Sequence, residues 1–135
     1  MFSINLPIRF QDADPAGVLF FARAFDLFHQ AYESLMAERG LPLGATIKEE
    51  TFLLPIVHAE GQFKKPAEAG ETVKVEVKTG RRGVTSFTLL FTMTNSAGDL
   101  LATGSTVHVA VDKQSGKPVA LPPKVIAVLE TLEEE

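Results

Sequence analysis

Two carboxylates, Asp12 and Asp14, flank Ala13 in the segment QDADPAG. The segment is rich in turn-forming residues and leads into an apolar, aromatic stretch. A carboxylate beside a helix start adjoins backbone N–H groups that can hold an oxyanion, so Asp14 is a candidate catalytic acid, base or nucleophile. A structural role is the simpler interpretation of the spacing alone. In that role Asp14 would be the N-cap and Pro15 the first helical residue, since helix starts favour Asp and Pro there.

Several other kinds of chemistry find no support in the sequence. It contains no Cys, so a disulfide, a thiolate zinc site and a Cys nucleophile are excluded. No Ser lies in a Gly-x-Ser-x-Gly motif, which argues against a serine hydrolase. His29, His58 and His108 match no metal-ligand spacing. We therefore expect neither a metal nor another cofactor.

The charge balance restricts the possible partners. A formal net charge of −4 argues against general nucleic-acid binding, which requires a broad basic surface. Two local basic pairs, Lys64-Lys65 and Arg81-Arg82, could still bind an anionic ligand. No apolar run reaches the ~20 residues of a membrane helix, and the N-terminus has no export leader. These features predict a cytoplasmic protein with a single domain over residues 1–135.

The hydrophobic pattern predicts an α+β domain. A strand is expected over residues 2–10 and one long helix over residues 18–39. Residues 43–50 are expected to form a loop with a short helical turn, and residues 122–135 a short acidic helix or a frayed tail. Antiparallel strands are predicted between them over residues 52–63, 71–79, 85–94 and 100–111, linked by hairpins that include residues 80–83.

The long helix must be covered by the sheet. Its aromatic and aliphatic positions recur at helical spacing and occupy most of its circumference; they include Phe21, Phe25, Phe28, Tyr32 and Leu35. A single sheet can cover such a helix only by curling around it. We expect the outer face of the sheet to remain partly apolar, which would favour dimerisation.

Three segments carry a resemblance to a known family. RFQDADPAG, VLFFARAFDLFHQAYESLM and PIVHAEGQFKKP resemble the 4-hydroxybenzoyl-CoA thioesterase family of hotdog proteins. Within that family they most resemble the 1,4-dihydroxy-2-naphthoyl-CoA hydrolases of phylloquinone and menaquinone synthesis. The likeness covers nearly the whole chain. The pair Phe20-Phe21 resembles the Tyr-Phe pair of that type, whereas broad acyl-CoA thioesterases of the Tol–Pal type usually carry Tyr-His.

The resemblance implies a curled antiparallel sheet wrapped around one long helix. It also implies homodimers or homotetramers with active sites at the subunit interfaces. Asp14 falls on the family's catalytic carboxylate, and the backbone N–H of Phe21 falls on its oxyanion donor. Further implied site residues are Gly17, Phe20 and His58 in the substrate pocket and Lys64, Lys65, Arg81 and Arg82 as contacts to CoA.

We therefore predict hydrolysis of an acyl-CoA, with 1,4-dihydroxy-2-naphthoyl-CoA or another aryl-CoA as substrate. CoA is then part of the substrate rather than a cofactor. Asp14 would either attack the carbonyl carbon or activate water, and the sequence leaves both routes open. The alternatives are a broad short-chain acyl-CoA thioesterase and a non-catalytic acyl-CoA-binding module. A binding module would have no use for an unpaired carboxylate beside the thioester.

Overall fold

The computed structural model describes residues 1–133. Five strands form one antiparallel sheet in the order β1-β4-β5-β6-β3, and β2 pairs with β7 in a separate ladder. The predicted α+β class is confirmed. In chain order the elements are β1 (Phe2–Pro7), α1 (Phe21–Glu38), α2 (Leu43–Glu49), β2 (Phe52–Leu53), β3 (Ile56–Phe63), β4 (Thr72–Arg82), β5 (Ser86–Thr94), β6 (Leu100–Val109), β7 (Val111–Asp112) and α3 (Pro123–Glu133).

The core lies between α1 and one face of the sheet. In β5 every second side chain is buried, as the period of two predicts. In α1 the buried positions follow the helical period and form a stripe over four turns. The ring of Phe28 stacks on that of Phe91, with centroids 5.0 Å apart. It also occupies the space that a side chain at Gly104 would need. These contacts hold α1 across β5 and β6.

Several predicted boundaries are wrong, each for a local reason. β1 ends at Pro7, and a 3₁₀ turn at Phe10–Asp12 leaves Phe10 90% exposed. The stretch over residues 52–63 is two strands in different sheets, because Leu54 and Pro55 separate β2 from β3. The segment after α1 forms a true helix, α2. The C-terminal segment is helical through Glu133 and docks by buried Val and Leu side chains; Glu134 and Glu135, which were expected to end an acidic tail, lie outside the described residues.

The outer face of the sheet is more polar than the sequence pattern predicted. Opposite the helix, the central strands present mainly hydroxyl and charged side chains, among them Lys78, Thr92, Thr103 and Ser105. Leu90, at 37% exposure, lies on this face together with the partly buried Val107 and Val109. The outer face is therefore partly apolar, as expected, with polar side chains in the majority. Exposed apolar groups also lie on the edge strand β3, where every residue except Gly61 is exposed.

Over residues 1–133, no helix has both the length and the apolar character that crossing a bilayer would require.

We predict that Gly104→Ala destabilises the fold by about 1–3 kcal/mol, the usual range for overpacking a core. A Cβ at position 104 would lie 2.5 Å from Cε2 of Phe28. Gly44→Ala in α2 is the matched control, because its Cβ would have no heavy atom within 4 Å and Ala favours helix. Urea denaturation measures both variants. Equal stability of Gly104→Ala and wild type would contradict the close packing of α1 on β6.

Candidate active site

The Asp12–Asp14 segment forms a short hairpin with the residues that lead into α1. The N–H of Asp14 donates to the carbonyl of Val18 at 2.8 Å, and the N–H of Phe20 donates to the carbonyl of Asp12 at 2.9 Å. The N–H of Gly17 closes the tip by donating to the carbonyl of Asp14 at 2.9 Å. Gly17 adopts a φ of 82°, which favours glycine. Asp14 therefore sits at a tight turn immediately before α1.

Asp14 is half-buried, and only one of its carboxylate oxygens is engaged. Oδ1 accepts from the N–H of Ala16 at 2.8 Å and from that of Val18 at 3.4 Å. Within residues 1–133, Oδ2 has no hydrogen-bond partner. The N-cap interpretation is wrong, because α1 begins at Phe21 with Phe20 as its N-cap. Pro15 and Gly17 close a turn here, so the helix starts later. One oxygen of Asp14 thus orders the turn and the other is free for chemistry.

Asp12 has a different environment from Asp14. Its side chain is buried, at 1% exposure. Oδ2 accepts from the N–H of Arg9 at 2.9 Å and lies 3.5 Å from Nε of the same residue. These contacts hold the 3₁₀ turn that precedes the hairpin. The geometry gives Asp12 a structural role.

The N-terminus of α1 provides an oxyanion donor. Phe21 is the first residue of this 18-residue helix, and the first N–H groups of a helix have no acceptor within it. Among the described residues, no group outside the helix accepts a hydrogen bond from the Phe21 N–H either. No acidic side chain occupies the first turn, so the partial positive charge there is not neutralised within the helix.

A cavity of about 270 Å³ brings Phe21 together with Phe63, Lys64 and Lys65. The hairpin is anchored beside it, because the N–H of Leu19 donates to a backbone carbonyl of the following segment at 2.6 Å. Lys65 pairs with Asp99 at 2.7 Å, and this hydrogen bond raises the pKa of Lys65. Lys64 makes no ion pair within residues 1–133. Phe20 is exposed at the rim, its ring centroid 4.8 Å from that of Phe21.

The remaining predicted site residues lie elsewhere in the same chain. His58 lies on the outer face of the edge strand, 3.5 Å from Glu60. The predicted hairpin links β4 and β5, which pair antiparallel, but its turn spans residues 83–85, so Arg81 and Arg82 belong to β4 rather than to the loop. The Asp14 hairpin meets the chain just before β4 at the Val18–Glu68 bridge, and the two arginines lie at the other end of β4, a strand about 30 Å long. Arg82 is also within 3.9 Å of Glu130 on α3.

A second cavity, of about 240 Å³, contains functional candidates that the sequence did not reveal. His108 is completely buried, stacked on Phe87 with ring centroids 4.7 Å apart. Its Nε2 lies 2.8 Å from Oγ1 of Thr106; among the described residues its Nδ1 makes no hydrogen bond of good geometry, although the ring also interacts with the backbone of Leu54. The sequence pattern favoured Val107 and Val109 as the inward positions. Pairing with β3 and β5 instead turns Thr106 and His108 toward α1.

Burial lowers the pKa of His108 to about 4, because the charged imidazolium loses its hydration. The interaction with the Leu54 backbone raises the pKa of His108, and the charge of the neighbouring His29 lowers it slightly further. Burial also raises the pKa of Tyr32, whose ring centroid lies 4.7 Å from that of His108. Both side chains are therefore uncharged at neutral pH. Within residues 1–133, no cluster of His, Asp and Glu side chains could hold a metal ion.

Comparison with known proteins places these features in a family context. Residues 8–129 match the family model described as the thioesterase-like superfamily. The chain is 32% identical over 130 residues to a 1,4-dihydroxy-2-naphthoyl-CoA hydrolase from Nostoc punctiforme, covering 96% of this chain and 87% of that protein. A hydrolase of the same name from Thermosynechococcus vestitus is 30% identical over 128 residues, covering 95% and 88%.

A solved structure agrees with these matches. The crystal structure of a 1,4-dihydroxy-2-naphthoyl-CoA thioesterase from Synechocystis superimposes with a TM-score of 0.91. The sequence identity is 28%, and the match covers 98% of this chain and 97% of that one. The predicted hotdog fold is confirmed.

His108 predicts a pH dependence of stability. Its pKa is about 4 in the folded state, against 6.5 for an exposed His. The unfolded chain therefore binds more protons between these values, and stability should fall by about 3 kcal/mol as pH drops from above 6.5 to 4. Urea denaturation across pH 4–7 measures this loss, and His108→Gln should flatten it. The pKa values of the Asp99 and Asp112 carboxyls are lowered from their ordinary value by hydrogen bonds, so the stability that they contribute is lost mainly below this window. A flat wild-type profile would contradict a buried, neutral His108.

Proposed function

This chain belongs to the thioesterase-like superfamily, and we propose that it hydrolyses an aryl-CoA thioester with Asp14 as its catalytic carboxylate. The proposal rests on the proximity, along one hairpin, of a carboxylate oxygen and a backbone N–H that both lack hydrogen-bond partners among the described residues. A half-buried carboxylate with a free oxygen lies on the hairpin that leads directly to the unpaired N–H of Phe21.

The Phe21 N–H would stabilise the charge that develops on the thioester oxygen. As a nucleophile adds to the carbonyl carbon, that oxygen becomes an oxyanion, and the N-terminus of an 18-residue helix favours negative charge. Loss of a single oxyanion donor typically costs about 10²–10³ in kcat. The donor is a backbone group, so the aromatic side chain of Phe21 is compatible with this role.

Asp14 can act by either of two balanced routes. In the first, Oδ2 attacks the carbonyl carbon, the C–S bond breaks, and CoA leaves as a thiolate that takes a proton from solvent. Water then hydrolyses the mixed anhydride and restores the carboxylate. In the second, Asp14 takes a proton from water as hydroxide adds to the carbonyl, and the departing CoA sulfur is protonated. Both routes use the oxygen that the turn leaves free.

The acyl group we propose is 1,4-dihydroxy-2-naphthoyl or another aryl group. Support comes from relatives of that name at 30–32% identity over nearly the whole chain. The Phe20-Phe21 pair supports it over a broad short-chain acyl-CoA thioesterase. The free oxygen of Asp14 argues against a non-catalytic binding module. We place the enzyme in the cytoplasm, in phylloquinone or menaquinone synthesis.

The basic residues divide into two groups for CoA binding. Lys64 and Lys65 line the Phe21 cavity of the same chain and can approach a phosphate of the bound substrate. Arg81 and Arg82 lie at the opposite end of β4 and can contact the same CoA only from another subunit. We propose that they do so, along with His58, whose outward position on β3 also requires a partner.

The edge strand β3 supports such an assembly. Its eight residues are nearly all exposed and include Val57 at 61% and Phe63 at 48%. An exposed strand edge with apolar side chains favours pairing with a second strand. We propose a homodimer or homotetramer in which β3 contributes to the subunit interface.

Asp14→Asn should lower kcat by about 10²–10⁴, the usual contribution of an acid–base group. The Asn side-chain oxygen can still accept from the N–H groups of Ala16 and Val18, so the turn should persist. The melting temperature should therefore stay close to that of wild type. Hydrolysis assays and thermal unfolding on the same preparations measure the two effects. A fully active, stable Asn variant would rule out Asp14 as the catalytic carboxylate.

Asp12→Asn is the matched control. The Asp12 carboxylate is buried and holds Arg9, so its replacement should lower stability while affecting kcat far less than the change at Asp14. A larger kinetic loss at Asp12 than at Asp14 would reverse the roles assigned to the two carboxylates.

Replacing Arg81 and Arg82 together with Ala should raise KM by about tenfold or more with little change in kcat. Contacts to CoA phosphates persist from ground state to transition state, so they affect binding rather than the chemical step. Steady-state kinetics at two salt concentrations measure this, and the wild-type KM should rise with salt. An unchanged KM would leave Arg81 as a surface residue and Arg82 as a surface partner of α3.

Light scattering should give about two or four times the chain mass of 14.6 kDa. Val57→Lys on the edge strand should shift the sample toward monomer, because a charge on an exposed edge disfavours strand pairing. Activity should fall with the assembly if sites need two chains. A fully active wild-type monomer would contradict shared sites.

A further inference from the structure

The residue that follows Asp14 is a proline, which has no backbone N–H. The sequence contains five aspartates, and each of the other four is followed by a residue that has one: Ala13, Leu27, Leu100 or Lys113. Asp14 is therefore the only aspartate in the sequence whose neighbouring backbone nitrogen carries no hydrogen. It is also the carboxylate to which the proposed reaction assigns the chemistry.

The turn at residues 14–17 does not require this proline. The N–H of Gly17 donates to the carbonyl of Asp14 at 2.9 Å, which makes Pro15 the second residue of a β-turn. Ala16, the third residue, has a negative φ, and a turn of this type favours Pro at the second position but accepts most residues there. Residues 15–17 are exposed, so packing does not select Pro15 either. Its distinguishing property at this position is the missing N–H.

The hydrogen bonds that hold Asp14 would make its Cγ reactive once the carboxylate is acylated. In the nucleophilic route, Oδ2 carries the acyl group in a mixed anhydride, and Oδ1 becomes a carbonyl oxygen. Oδ1 accepts from the N–H of Ala16 at 2.8 Å and from that of Val18 at 3.4 Å. These two donors would stabilise negative charge on Oδ1 whenever a nucleophile adds to Cγ, as an oxyanion hole does.

A secondary amide at residue 15 would be the nearest backbone nucleophile to Cγ. Its nitrogen would bond to Cγ and close a five-membered succinimide ring, and its proton would pass to solvent. The bond from Cγ to Oδ2 would break, and the acyl group would leave as a free carboxylate. The protein would then lack one water molecule and its residue-14 carboxylate. A backbone amide is a weak nucleophile, but well-oriented intramolecular reactions reach effective concentrations of about 10⁵ M or more.

We propose that Pro15 protects Asp14 from this self-inactivation during turnover. The nitrogen of Pro15 is bonded to three carbon atoms and has no proton to lose, so it cannot form the neutral succinimide. Water then remains the nucleophile that releases the acyl group and restores the carboxylate. The inference rests on the thioesterase activity proposed above and selects the first of the two routes given for Asp14.

The test replaces Pro15 by Gly, Ala or Val and follows hydrolysis of 1,4-dihydroxy-2-naphthoyl-CoA until it stops. Thermal unfolding checks that each variant folds. Activity should decline in proportion to the turnovers completed, and Pro15→Gly and Pro15→Ala should complete at least about tenfold fewer turnovers than wild type, because each anhydride divides between water and the amide. The decline should be fastest for Gly and slowest for Val, since a larger side chain hinders ring closure.

Mass spectrometry identifies the cause of the decline. The tryptic peptide over residues 10–23 should lack one water molecule in the inactivated variants, and fragmentation should locate the loss at residues 14–15. Wild type should keep its full mass after the same number of turnovers. Steady hydrolysis without a dehydrated peptide, in the Pro15 variants that fold, would overturn the proposal.

Asp12 is the matched control within the same peptide. Ala13 follows it with an N–H, but the buried Asp12 carboxylate is not acylated, so this site should stay intact. Equal dehydration at Asp12, or dehydration at residue 14 without the acyl-CoA, would indicate spontaneous ageing and overturn the proposal. Asp14→Asn separates this inference from the proposed function. If Asp14→Asn is inactive while Pro15→Ala hydrolyses steadily, the catalytic role of Asp14 stands and the protective role of Pro15 is refuted.

Discussion

The packing of Phe28 into the space above Gly104 fixes the position of α1 on the sheet. A side chain at residue 104 would collide with that ring, and Phe91 stacks on it from the adjacent strand. The other features of the site follow from this contact. It sets where the N-terminus of α1 meets the Asp14 hairpin, and it leaves room between α1 and β3 for two cavities. Close packing in the middle of α1 thus fixes the position of the Phe21 N–H at its N-terminus.

The two carboxylates of the hairpin before α1 have different roles. Asp12 is buried and holds the chain that enters the hairpin, whereas Asp14 uses one oxygen to order the turn and keeps the other free. The hydrogen bonds to Oδ1 hold Asp14 in position, and Oδ2 remains available to react. The same hairpin delivers the chain to Phe21, so carboxylate and oxyanion donor have a fixed relation through backbone hydrogen bonds.

The sequence predicted much of this fold from strong local patterns. The alternation in β5 and the apolar stripe of α1 gave the correct elements and inward faces. Other positions depended on neighbours that a local pattern does not contain. Phe10 shares the parity of β1 but is exposed because the strand ends at Pro7. In β6 the sequence pattern favoured the valines as the inward residues. Pairing with β3 and β5 instead turns His108 inward, so the second cavity could not be predicted from the pattern. Asp14 and the Phe21 N–H were proposed from the resemblance, while the structure supplied the free oxygen and the unpaired N–H.

The central claim is that a thioester binds with its carbonyl oxygen on the Phe21 N–H and its carbonyl carbon facing residue 14. The most direct test is a crystal structure of wild type with an aryl-CoA analogue in which a methylene group separates sulfur from the carbonyl, so that it resists hydrolysis. The account predicts a carbonyl oxygen about 2.7–3.1 Å from the Phe21 nitrogen, with Oδ2 of Asp14 facing the carbonyl carbon. A carbonyl group bound away from Phe21, with Asp14 turned from it, would contradict the account.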